Sequence, residues 1–293
     1  MSALPVGAAA ALRHRRLAAV LWLSLLASAL VAWFPIRTLF GIFDVGAFRE
    51  ALLRGWDGWG MLSFLAFPNR EIRVAFAAVS GATVVFVLLQ VFLTGGVLRA
   101  LIAGQPRPVL RLVVAESAGL FKPNLWATVR YVLTAVFWSG LLVAAPVRLL
   151  HKLGKDVPPH TFLPDLAFWW ALAAGAIVLL NVGLRYDLAR IALARGEAVS
   201  ARGAYRVAKR RLGGSRPSAI LLALAWIAIG VAVQALFTAL GMRWNPHTNA
   251  STFWLFAFRQ LGFFILATVR VGFWASLLAW EDKRRPVPSS YGA

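Results

Sequence analysis

Residues 178–197 read VLLNVGLRYDLARIALARGE. The first seven suit lipid. Arg185, Asp187 and Arg190 then arrive within six positions, on what reads as one continuous helix. Two readings compete. The charges form a site, or they mark the level at which the helix leaves a bilayer. A charge deep in hydrocarbon is costly and points to function, whereas basic residues at a helix exit are ordinary. The choice depends on where the apolar segments fall along the rest of the chain.

Composition sets the frame. The 293 residues are 60% hydrophobic and 14% charged, with a mean hydropathy of +0.72. Soluble domains carry about a quarter charged residues, so lipid is the solvent for much of this chain. Cysteine is absent, which excludes disulfides and Cys-ligated zinc. The net charge of +20 would suggest nucleic acid in a soluble protein. Here the basic residues lie between long apolar runs, so topology explains them and no nucleic-acid partner is expected. Only five of the 31 basic residues are Lys. The excess of Arg and Ala fits a GC-rich bacterial genome.

A membrane-spanning helix needs about 20 apolar residues. Six segments qualify, at roughly 17–40, 74–98, 126–148, 166–186, 218–240 and 253–280. Helix is required, because backbone groups in hydrocarbon must find internal partners. The first segment resembles a signal peptide through Ala27–Ala29, but its apolar run continues to Phe34, which favours an uncleaved anchor. Placing the N-terminus, loops 96–130 and 184–217 and the C-terminal tail on one side gives that side 20 basic residues against nine on the other. Positive charge marks the inner face, so both termini are expected in the cytoplasm of a bacterial inner-membrane protein. The tail, 281–293, is expected to be disordered. Trp33, Trp56, Trp59, Trp169, Trp170, Trp244 and Trp254 fall near outer segment ends, and Trp126 and Trp280 mark the inner edge.

An internal similarity runs through the even segments. VLLQV at 87–91, VLLNV at 178–182 and ILATV at 265–269 lie 91 and 87 residues apart, each at the same point relative to a membrane exit. Three helical hairpins in one orientation explain this, and chance matching of common apolar residues is the alternative. The register makes Gln90, Asn181 and Thr268 equivalent. Such polar groups either glue helices together or line a central path.

Outside the spans, AVSARGAYRVAKRRLGGSRP predicts a basic amphipathic helix. Ala198, Ala201, Tyr205, Ala208 and Leu212 form its weakly apolar stripe, and Arg202, Arg206, Lys209 and Arg210 its other faces. Beside a membrane it would contact anionic lipid. PRPVLRLVVAESAGLF suggests a second cytoplasmic helix bounded by Pro108 and Pro123, and FDVGAFREALLRGWDGWG an outer interfacial one.

Chemistry is sparse. His151, His160 and His247, with Asp156 and Asp165 nearby, lack metalloprotease spacing and read as outer loops. Gly95-Gly96 is a pair permitting close helix approach, not a phosphate loop. Arg259 and Arg270 lie inside the last span, close enough to its ends to snorkel outward and inward respectively. At the exit of the fourth span, Arg185 and Arg190 would meet inner-leaflet phosphates, with Asp187 pairing to Arg190 at i, i+3. No cofactor or metal is expected.

The six-helix layout, with RYDLARIALA leaving the fourth helix and GAYRVAKRR following, resembles a broad group of bacterial membrane proteins. That group includes the membrane domain found beside some glycerophosphodiester phosphodiesterases. The resemblance implies a membrane module without assigned chemistry, since the phosphodiesterase's catalytic acidic and His residues have no counterpart here. The expectation is therefore an all-α polytopic membrane protein of six transmembrane helices, as three hairpins with short interfacial helices. Its leading function is an accessory or scaffold module docking anionic lipid or a protein partner through a basic cytoplasmic face. A small permease is the alternative. A membrane-embedded enzyme would need a convergent cluster of titratable groups.

Overall fold

The computed structural model describes residues 3–27, 70–104, 110–153, 163–213, 216–242 and 249–284. Among them the regular structure is helix, with no strand. The named helices are α1 (Ala3–Arg13), α2 (Arg70–Ile102), α3 (Leu110–Ser139), α4 (Ala145–Leu153), α5 (Leu163–Ala194), α6 (Ala201–Gly213), α7 (Arg216–Met242) and α8 (Asn249–Asp282). A π-helical turn, Gly140–Ala144, joins α3 to α4. Five stretches are long and apolar enough to cross a membrane: Ser80–Ile102, Leu110–Leu150, Leu166–Ala194, Arg216–Gly241 and Phe253–Asp282. The chain is thus a multi-pass membrane protein, all-helical among the described residues. Much of the segment expected at 17–40, and the outer helix expected at 43–60, fall outside the described residues. The outward faces of the described spans agree with lipid. Leu133, Val136 and Phe137 of α3 are each more than 60% exposed, a patch that water would not favour.

The chain divides into two compact units, Val20–Gln90 and the remainder, Met1–Ala19 with Val91–Ala293. In the smaller unit, Ser24 donates to Leu21 O at 2.7 Å, and Gln90 Nε2 donates to Ser24 Oγ at 2.6 Å. Gln90 is therefore joined to residues 20–27 of the same unit by a side-chain hydrogen bond.

In the larger unit α1 packs along α8. Ala3, Gly7 and Ala11 bury one small-residue stripe at four-residue spacing. A Cβ at Gly7 would strike Ser276 and the carbonyl of Gly272. Gly272 in turn lies against the ring of Trp226 from α7, whose Nε1 donates to Ser276 Oγ at 2.9 Å. Small residues on two helices let backbones approach closely, and here three helices meet at one such point.

Two expected boundaries change. The helix anticipated between Pro108 and Pro123 is the first part of α3, which runs through Pro123 without a break. A proline inside a helix costs a hydrogen bond and a clash. It is tolerated because Val113, Ser117, Leu120, Asn124 and Ala127 bury one stripe on both sides of it. That stripe faces Gly95 and Gly96. A Cβ on Gly96 would meet Val113 O and Ser117 Oγ, and the Gly96 amide donates to that hydroxyl at 3.1 Å. The pair acts as the close-approach point that its residue type predicts.

The second change concerns the end of α5. Residues 187–194 are buried without interruption, so DLARIALA does not emerge into solvent or lipid. A helix buried on every side is a core helix, and α3, α6, α7 and α8 all contact α5. The helix stops at Gly196, where φ is +74° and the Glu197 amide returns to Ala192 O at 3.0 Å. That left-handed closure suits glycine at a helix C-terminus.

Candidate functional site

The charges of 185–190 separate into different environments. Arg185 is half-buried. Asp187 is 4% exposed and accepts two hydrogen bonds on Oδ1, from Arg270 Nη2 at 2.8 Å and from Trp274 Nε1 at 3.0 Å. Its ion pair is therefore with α8, not with Arg190 on its own helix. Arg190 is 5% exposed, and its Nε has no hydrogen-bond partner. Its guanidinium lies over the rings of Tyr186 (4.8 Å) and Trp274 (5.6 Å). This overturns the expectation that Arg190 reaches lipid phosphate. The aromatic faces supply the attraction that a phosphate was expected to give. Arg270 keeps a 44% exposed side chain and crosses Phe273 and Trp274 at 5.4 and 4.9 Å. It is anchored to the protein rather than simply extended to headgroups.

Aromatic residues surround this cluster on the α3 side. Tyr131 stacks on Tyr186 at 4.7 Å, and the Tyr186 hydroxyl shares a 2.7 Å hydrogen bond with Thr128 Oγ1. From α6, Tyr205 donates to Ala127 O at 3.2 Å beneath Arg130, whose guanidinium lies 5.1 Å from the ring. Burial pushes the Tyr205 phenol well above its ordinary value, so it stays a neutral donor.

The residues aligned by the repeat are engaged locally. Asn181 donates to Ile177 O at 2.8 Å and accepts from Arg216 Nη2 at 2.9 Å. Thr268 donates back to Phe264 O at 2.9 Å. Arg259 is exposed and lies along Gly241 at the end of α7. His160, His247 and Asp156 fall outside the described residues, as do the side chains of His151 and Asp165.

Where α5 and α8 end, a second charge cluster joins the helices. Arg195 pairs with Glu281 at 3.0 Å and Asp282 at 2.7 Å, and Arg211 from α6 pairs with Glu281 at 2.6 Å and also with Glu197. Helix α8 thus stays ordered through Glu281 and Asp282, beyond its expected end at 280. Trp280 is buried, with its indole donating to Ser218 at 3.0 Å, rather than marking an interface. With Arg99–Glu116 at 3.7 Å, each of Glu116, Asp187, Glu197, Glu281 and Asp282 has an arginine within salt-bridge distance. These are the five acidic residues that the sequence places on the more basic side.

Helix α6 sits against this layer. Ser200 caps it, accepting from the Gly203 amide at 3.2 Å. Ala204, Ala208 and Leu212 are buried, while Ala201 and Tyr205 are half-buried and Ala198 precedes the helix. The packed stripe is rotated slightly from the expected one, and it faces protein. Arg202, Arg206, Lys209 and Arg210 are all exposed, and among the described residues none has a carboxylate partner. Periodicity located these four. It did not reveal that every nearby acid is already engaged.

The chain matches no protein-family model, no curated protein and no solved structure. Geometry alone carries the functional reading.

Proposed function

We propose that the protein is a non-catalytic, integral membrane module of the bacterial inner membrane, with a basic cytoplasmic face that docks anionic partners. The expected six-span, N-in and C-in topology and the three-hairpin origin belong to this reading. The observation that carries it is α6. Four exposed basic side chains stand on a helix fixed to the bundle by its apolar stripe and Tyr205. The five acids of that side are neutralised by Arg99, Arg195, Arg211 and Arg270, so they cannot quench it.

Anionic lipid headgroups of the inner leaflet are the partner class that this face fits best. Each basic residue near such a surface contributes about 1 kcal/mol. A protein partner would have to present a matching acidic surface. The test is lipid selectivity: the variant Arg202→Gln/Arg206→Gln/Lys209→Gln/Arg210→Gln should fold normally and bind less phosphatidylglycerol. Unchanged selectivity would remove the basis for the reading. The permease alternative, with a path past Gln90, Asn181 and Thr268, has less support. Asn181 is held by Arg216, and the Thr268 hydroxyl returns to its own helix. Reaction of cysteines at those positions with aqueous thiol reagents would revive it.

A further inference from the structure

A cleft of about 360 Å³ opens between α5, α7 and α8, with Tyr131 of α3 at its edge. Leu179 and Ile227, both more than half exposed, form part of its apolar wall, and Gly183 leaves space beside them. Asp187 and Arg270 line the same cleft.

Charge does not balance here. Arg190 and Arg270 both lie over the ring of Trp274, and the buried carboxylate beside them, Asp187, is paired with Arg270. Counting Asp187 against the two guanidiniums leaves one positive charge in excess. Arg190 is enclosed and one of its donors is unmatched, while Arg270 is the half-exposed member facing the cleft. Depth agrees with a headgroup. Arg270 follows Phe253 by 17 residues, about 26 Å of helix at 1.5 Å per residue, and a bilayer's hydrocarbon is about 30 Å thick. Arg270 therefore lies near the inner boundary of the hydrocarbon, with apolar walls on the lipid side.

We propose that this cleft holds one anionic phospholipid, its headgroup phosphate on Arg270 and an acyl chain along Leu179, Gly183 and Ile227. The site is separate from the α6 face and does not rest on it. A phosphate oxygen would take the Arg270 donors left free by Asp187, as guanidinium geometry favours. A free inorganic anion would satisfy the charge but would leave the apolar walls unused.

The experiment is native mass spectrometry of the full chain in detergent, with phosphatidylglycerol and phosphatidylcholine of matched acyl chains. It is run on protein carrying the four α6 substitutions, so that surface binding is removed. One phosphatidylglycerol should remain bound per chain in preference to phosphatidylcholine. Adding Arg270→Gln should weaken it about tenfold, the loss of a charge-assisted contact. That change also strands Asp187, so Gly183→Leu is the deciding variant. No neighbouring atom lies within 4 Å of a Cβ there, and leucine fills the cleft with every charge intact. Loss of the bound lipid in Gly183→Leu supports the site. Unchanged binding in Gly183→Leu, no preference before it is added, or full displacement by millimolar inorganic phosphate would overturn it.

Discussion

Replacing Asp187 with Asn tests the charge cluster most sharply. Asparagine keeps the shape and a carbonyl acceptor but removes the charge. Asp187 accepts from Arg270 at 2.8 Å and from Trp274 at 3.0 Å, and it is almost fully enclosed. A hydrogen bond to a charged group contributes about 1.5–3 kcal/mol and a neutral one about 0.5–1.5. The Trp274 bond changes from the first kind to the second, and the Arg270 bond falls from an ion pair to a cation on a neutral acceptor, which together lose about 2–3 kcal/mol. Arg270 is 44% exposed, so solvent screens its share, and about 2 kcal/mol remains. The assay is reversible unfolding in mixed micelles, titrated with dodecyl sulfate and followed by helical circular dichroism. An effect of that size shifts the unfolding constant about 30-fold. A double-mutant cycle with Arg270→Gln should return a coupling of about 1 kcal/mol, because each variant already breaks the same contact. A change below about 0.5 kcal/mol with additive behaviour would refute the reasoning. It would place Asp187 against headgroups or water, as a simple helix exit requires.

Further outcomes follow from other contacts. Gly272→Ala drives a methyl into the ring of Trp226. Overpacking of about 1–3 kcal/mol, less about 1 regained in helix propensity, leaves net destabilisation in the same titration, and Trp226→Leu should relieve it. Arg211→Gln leaves the buried Glu281 with Arg195 alone. Removing one partner of a buried pair costs about 3–5 kcal/mol, and the surviving arginine should hold the measured loss to about half of that. For orientation, alkaline phosphatase fused after Gly60, Lys155 or His247 should be active, and fused after Leu120 or Gly213 inactive. The opposite pattern would invert the topology.

Much of the bundle was legible from hydropathy alone, because a bilayer admits few backbone solutions. Four of the last five expected spans each fall within one long apolar helix, and the span expected at 126–148 runs from α3 through the π-helical turn into α4. What hydropathy could not show is where helix surfaces go once they pass the lipid. Arg190 reads as an exit charge because charge commonly marks exits. Its aromatic partners, Tyr186 four residues back and Trp274 on another helix, are brought together by packing. Asp187 reads in sequence as a local partner of Arg190 at i, i+3, whereas packing turns its carboxylate to α8. Its partner Arg270 lies 83 residues away, a pairing that no local pattern encodes.

Two signals were present and easily passed over. Ala3, Gly7 and Ala11 recur at four-residue spacing, and so do Gly272 and Ser276. Small residues at that spacing on two helices announce a close crossing. Pro108 and Pro123 misled in the opposite way. Proline punctuation outweighed the buried stripe from Val113 to Ala127, although the stripe shows that the helix continues. For α6, period placed the exposed cations correctly. The stripe shifted because the helix packs on protein, where Ala204 fits, instead of lying alone on lipid.

The central claim is that an unneutralised basic face on α6 selects anionic lipid, and lipid selectivity measures it directly. Wild-type protein and the variant lacking charge at Arg202, Arg206, Lys209 and Arg210 would be titrated with phosphatidylglycerol and phosphatidylcholine under native mass spectrometry. Four charges at about 1 kcal/mol each predict that the wild type binds several phosphatidylglycerol molecules with clear preference. Added salt should weaken this preference, and most of it should vanish in the variant. Equal binding of the two lipids by wild-type protein, or a preference untouched by the four substitutions, would contradict the account.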